Sequence, residues 1–84
     1  MKTITIDCAS IPDKDALHQK LMDALEFPQW YGHNLDALMD CLTDLDDIHL
    51  VCANWDMLGD WAEVFSETFA DAATENPSFQ FTLQ

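Results

Sequence analysis

Arginine is absent from this chain of 84 residues, and lysine occurs three times, as Lys2, Lys14 and Lys20. Asp7, Asp13 and Asp15 offset these cations locally; the other 13 of the 16 acidic residues all lie in the 64 residues after Lys20, where there is no fixed cation, and the formal charge is −13. Direct nucleic-acid binding is disfavoured, because affinity for a phosphate backbone comes largely from Lys and Arg. A basic protein partner is favoured, since a strong field of one sign raises encounter rates with surfaces of the opposite sign.

Long apolar runs are missing as well. Nothing approaches the roughly 20 residues needed to cross a membrane, and a lone Lys2 before a short alternating run does not make a signal peptide. Cys8, Cys41 and Cys52 are odd in number and lack CxxC spacing, so reduced thiols in a cytoplasm are expected. There are no repeats, linkers or low-complexity tracts. A single domain over residues 1–84 is expected, with a small core that buries about 60% of the surface the unfolded chain exposes.

Lys2–Asp7 alternates, Thr3 and Thr5 on one side and Ile4 and Ile6 on the other, and predicts a first strand. After a turn, Pro12 suits the first position of a helix, with Asp13 and Asp15 in its first turn. Leu17, Leu21 and Leu25 form its buried stripe, and His18 beside them reads as a hydrogen-bonded structural histidine. Pro28 restrains Phe27 from helical geometry, so this helix should end near Glu26. In the connector that follows, Gly32 is expected to supply a backbone angle that other residues avoid.

Ile48–Ala53 is nearly all apolar apart from His49 and fits a central strand covered on both faces. Residues 54–59 are expected to form a loop or short turn containing Trp55. Residues 60–75 return to helical spacing, with Trp61, Val64, Phe65, Thr68, Phe69 and Ala72 inward and Glu63, Glu67 and Asp71 as an acidic stripe outward. Asn76, Pro77 and Ser78 stop that helix, and Phe79, Phe81 and Leu83 alternate with Gln80 and Thr82 in a last strand. The order strand, helix, helix, strand, helix, strand predicts an α/β fold with a small parallel sheet, because crossovers of this length join parallel strands.

The most informative stretch is PQWYGHNLDALMDCLTD, residues 28–44. Asn34 can cap a helix starting at Leu35, with Asp36 in the first turn, and Leu35, Leu38, Cys41, Leu42 and Leu45 make one apolar stripe. Asp36 and Asp40 lie one above the other on the opposite side, flanked by Thr43 and Asp44. Like charges at i,i+4 destabilise a helix by about 0.2–0.5 kcal/mol per pair, so carboxylates without cations suggest a partner that supplies the positive charge. The plainer alternative is a solvated face that only aids solubility. For the adjacent Trp30 and Tyr31, either one stands at the surface beside this helix or both cover the edge of the core.

This block resembles the signature of the barstar family, bacterial intracellular inhibitors of ribonucleases: an aromatic pair, Gly, a variable residue, Asn-Leu-Asp-Ala-Leu, then Asp-Cys-Leu-Thr. The run Leu17, His18, Gln19 and the closing strand also fit. The resemblance implies a two-layer fold, a three-stranded parallel sheet in order 1-2-3 with helices packed on it. It implies a ribonuclease inhibitor or immunity protein that blocks a cationic active site with an acidic helix imitating RNA phosphate. By matching position, Asp40 would enter the phosphate site with Asp36 beside it, Trp30 would stand where the family has a contact tyrosine, Asn34 and Thr43 would lie at the rim, and Asp71 would be a second-site acid. Met39 replaces a tryptophan typical before the second Asp, and Asp44-Leu45 replaces Gly-Trp; both departures lie on the contact surface, so whether the partner is the namesake's ribonuclease stays open, and the added acid at Asp44 suggests a more basic target or a differently shaped cleft. The expected partner is a basic ribonuclease, secreted or toxin-delivered, bound 1:1 by a chain that is monomeric when free, without cofactor, metal or membrane.

Two other readings have some footing in the residues. Asp36 with Asp40 could form a catalytic carboxylate pair, or His33 with Asp36 a metal site, yet such sites need several elements converging on a sheltered cleft. His49 and Cys52, three apart on a strand, fall on opposite faces. A nucleic-acid mimic acting on another basic protein also fits the composition, although acids gathered on two helices suit a compact cleft better than an extended duplex track.

Overall fold

The computed structural model describes residues 1–84. The alternating segments pair as expected: β1 (Lys2–Asp7), β2 (Ile48–Ala53) and β3 (Phe79–Leu83) form a parallel sheet in the order β1-β2-β3. The register sets Ile4 level with Leu50 and Phe81, and Ile6 level with Cys52 and Leu83, so one face is continuously apolar. The other face carries Thr3, His49 and Gln80 in one row and Thr5, Val51 and Thr82 in the next. β2 is therefore covered on one face only. His49 and Val51 are half-buried, and His49 Nε2 meets Thr82 Oγ1 at 2.7 Å across the bare side. The apolar run reflects a central position, with a neighbour on each edge, rather than two covered faces.

Helix α1 (Lys14–Leu25) buries Leu17, Leu21 and Leu25. Its cap is Asp13, whose Oδ1 accepts from Ala16 N at 2.9 Å, so Pro12 lies outside the helix rather than at its first position. The helix stops at Glu26, which turns left-handed at φ 57° as Pro28 forbids continuation. Helix α2 (Leu35–Thr43) buries Leu38, Cys41 and Leu42 and ends before Leu45, which stays half-buried as the chain turns.

Two short 3-10 turns, Trp55–Met57 and Asp60–Ala62, lead into helix α3 (Glu63–Glu75). Phe65, Phe69 and Ala72 face inward from α3, but Val64 is 44% exposed. It precedes Phe65 by one residue, a rotation of about 100° on a helix of 3.6 residues per turn, and that carries it off the buried face. Phe65, Phe69, Phe79, Leu17, Leu21, Leu38, Leu42 and Leu50 are the large side chains at the centre of the core. α1 packs on β1 and α3 on β3, whereas α2 leans mainly on α3. The acidic helix thus rests on another helix instead of on the sheet. No helix is long and apolar enough to cross a membrane.

Candidate functional site

Helix α2 starts where the sequence places its cap. Asn34 Oδ1 accepts from Ala37 N at 2.8 Å, and its Nδ2 donates to Gly32 O at 3.3 Å. That second bond explains Gly32 differently from expectation. Gly32 has no positive φ; a Cβ there would stand 2.9 Å from Asn34 Nδ2, so the glycine makes room for the capping amide. The left-handed residue is its neighbour His33, at φ 50°.

His33 Nδ1 lies 2.7 Å from Asp15 Oδ1 on α1. It is therefore not paired with Asp36, as the metal reading required. Behind it, His18 is 3% exposed and meets the hydroxyl of Tyr31, itself 5% exposed. Burial lowers the protonation of His18, reinforced by the neighbouring His33, and raises the Tyr31 hydroxyl well above its ordinary range. The aromatic pair thus divides: Tyr31 braces the loop from inside while Trp30 stands 68% exposed.

With the scaffold fixed from behind, the outward face of α2 consists of Asp36, Asp40 and Asp44, all exposed. None of these carboxylates takes part in a hydrogen bond or ion pair; the ion pairs of the chain are His33 with Asp15 and the N-terminal amine with Asp47. Thr43 turns its hydroxyl back onto the carbonyls of Met39 and Asp40, at 3.0 Å each, leaving the oxygen's lone pairs available. Met39 is half-buried against the core. Cys41 lies beneath this surface, its thiol pushed up by burial and further by Asp44 and Asp40. On the adjacent α3, Glu63, Glu67 and Asp71 are exposed and equally unpaired.

The far end of α2 is held by Asn76, which the sequence marks only as part of the stop to the following helix. Asn76 Nδ2 donates to Leu42 O at 3.0 Å and Leu45 O at 2.8 Å, while its Oδ1 accepts from Ser78 N at 3.1 Å. Nothing in the local sequence marks Asn76 for contacts 31 and 34 residues upstream. The site is a short helix clamped at both ends, with a convex face of free carboxylates. An open hollow of about 370 Å³ lies beside this face, lined by Asn34 and Asp36 together with Lys14, His18 and His33, while Asp40 stands outside it.

The family model described as "Barstar (barnase inhibitor)" matches residues 1–84. A curated relative from Bacillus subtilis (strain 168), named "Putative ribonuclease inhibitor YrdF", is 40% identical over 81 residues, covering 89% of this chain and 89% of its own length.

Proposed function

The chain belongs to the barstar family, a family of inhibitors rather than enzymes, and from that premise we propose that it blocks a basic ribonuclease by presenting Asp40 and its neighbours as substitutes for RNA phosphate. A ribonuclease holds its substrate with cationic side chains in a cleft. A rigid helix bearing carboxylates occupies that cleft without offering a bond to cleave. The single observation that carries the reading is the exposed, unpaired state of Asp36, Asp40 and Asp44 on one clamped helix. Charged hydrogen bonds formed as such a contact loses water are of the strong kind.

In this reading Asp40 enters the phosphate-holding pocket, Asp36 engages further cations beside it, and Asn34, Met39 and Thr43 line the contact. Trp30, Asp44 and Leu45 extend it on one flank. Asp71 on α3 meets a second basic group. The complex is 1:1, and the protein protects its producer or a neighbour from a secreted or injected nuclease. The relative's printed name, an inhibitor of ribonuclease, points the same way.

The test is RNA cleavage by a panel of basic ribonucleases, including any encoded beside this gene, with and without the protein. Stoichiometric loss of cleavage by one of them, relieved by Asp40→Ala, is the expected result. Full cleavage by every enzyme of the panel would reject the inhibitor reading, and full inhibition by the variant would reject the site.

A further inference from the structure

Where α1 gives way to the loop before α2, the surface folds into a notch of about 180 Å³. Leu25, Phe27 and Leu45 supply its apolar lining, and Trp30, Glu26 and Asp44 stand around it. We propose that this notch receives the side chain of one arginine of the ribonuclease, a proposal that rests on the inhibitor reading above and adds a defined cation subsite to it.

Size selects the kind of occupant. Pockets for small-molecule ligands run to about 300–1,000 Å³, so this one has room for a single side chain. Its chemistry selects the residue. The apolar lining suits a stem of methylene groups. Trp30, 68% exposed at the edge of the notch, belongs to the residue type whose ring binds a cation best. Glu26 and Asp44 are exposed carboxylates with no hydrogen-bond or ion-pair partner in the chain. A guanidinium is planar, weakly hydrated and forked, so it stacks on an indole while donating to carboxylates on either side; the ammonium of lysine is compact and strongly hydrated and stacks less well. The cation must come from outside, because the chain has no arginine and no lysine after Lys20.

Acetyl-arginine-amide, acetyl-lysine-amide and the neutral isostere acetyl-citrulline-amide are titrated into the isotope-labelled full chain while the indole N–H of Trp30 is followed by NMR. Saturable shifts are expected with the arginine probe, several-fold weaker ones with lysine and none with citrulline, and Asp44→Asn and Trp30→Ala should each weaken the arginine response. Equal shifts from arginine and citrulline, or no shift at all, would overturn the proposal. In the ribonuclease complex, Trp30→Ala is expected to lower affinity about three- to thirtyfold, with unchanged affinity counting against the notch. The two readings fail separately: arginine binding without inhibition of any ribonuclease removes the inhibitor reading, whereas inhibition that depends on Asp40 but not on Trp30 or Asp44 removes the notch.

Discussion

Asn76 donates to the carbonyl of Leu45 at 2.8 Å, so the residue that terminates α3 also closes the end of α2. Its second bond, to Leu42 O at 3.0 Å, adds to the one that this carbonyl already accepts from Leu45 N at 3.3 Å, so the last turn of α2 is tied to the end of α3 twice over. Since α2 leans on α3 rather than on the sheet, this one amide fixes where the acidic face points.

Asn76→Ala should therefore destabilise the fold by about 1–3 kcal/mol, the cost of leaving a partly buried polar group unsatisfied. It should also weaken ribonuclease inhibition, because the carboxylates would no longer be held in advance. Urea unfolding alongside an inhibition titration checks both. A stability loss with unaltered inhibition would show that the clamp does not position the site.

The acids of α2 should act in opposite directions on stability and on binding. Asp40→Asn removes a like-charge pair at i,i+4 without giving up the favourable first-turn position that Asp36 holds, and is expected to raise stability by about 0.2–0.5 kcal/mol. Removing one partner of a charge pair buried in the complex costs about 3–5 kcal/mol, so Asp40→Ala should lower affinity by roughly two to four orders of magnitude. Thermal melts and binding titrations of the same variants show whether the signs diverge.

His18 gives a pH dependence whose sign follows from its burial. In the unfolded chain an imidazole takes up a proton near its ordinary pKa of about 6.5; in the folded chain desolvation holds that proton off to lower pH. The unfolded state binds more protons in between, so this contribution is intact above about pH 6.5 and is lost as pH falls toward the folded value. Denaturant unfolding from pH 7.5 down to pH 5 should show a steeper loss for the native sequence than for His18→Gln. Parallel slopes would exclude His18 as the source.

All three thiols are buried, and desolvation raises each of them, Cys52 to about 12. The thiolate is the reactive form. A thiol-reactive chromophore at pH 8 should therefore label the folded protein only slowly and all three cysteines promptly in denaturant. Fast labelling of one thiol in the folded state would mark a site more open than Cys41, Cys8 or Cys52 is here.

Salt should separate folding from association. With 13 uncompensated negative charges, self-repulsion opposes the compact state, and shortening the Debye length from about 10 Å at 0.1 M to about 3 Å at 1 M should raise the melting temperature. The same screening should slow capture of a basic ribonuclease. Stopped-flow association and melting curves over one salt series test the pair.

Period and punctuation made most of the architecture legible in advance. Alternation located β1 and β3, the i,i+4 spacing of Leu17, Leu21 and Leu25 located α1, and Asn34 announced the start of α2. The outward placement of Asp36 and Asp40 followed from the same helical geometry. Long-range pairing was not legible: Asn76 serves carbonyls more than 30 residues away, and His33 turns to Asp15 on α1 instead of to Asp36. Gly32 misled because glycine has two uses, a free angle and an empty Cβ position, and only coordinates tell them apart. Val64 misled because it is apolar and adjoins Phe65, yet one residue of helix turns it about 100° away from the face that Phe65, Phe69 and Ala72 bury.

The uncovered side of the sheet makes this molecule easy to tether. Thr5 and Gln80 lie there in the open, on the side away from the helices. A cysteine introduced at either position would be the one readily addressable sulfhydryl of the native fold. Biosensor chips or fluorophores attached through it would leave the acidic helix unobstructed and aimed into solution.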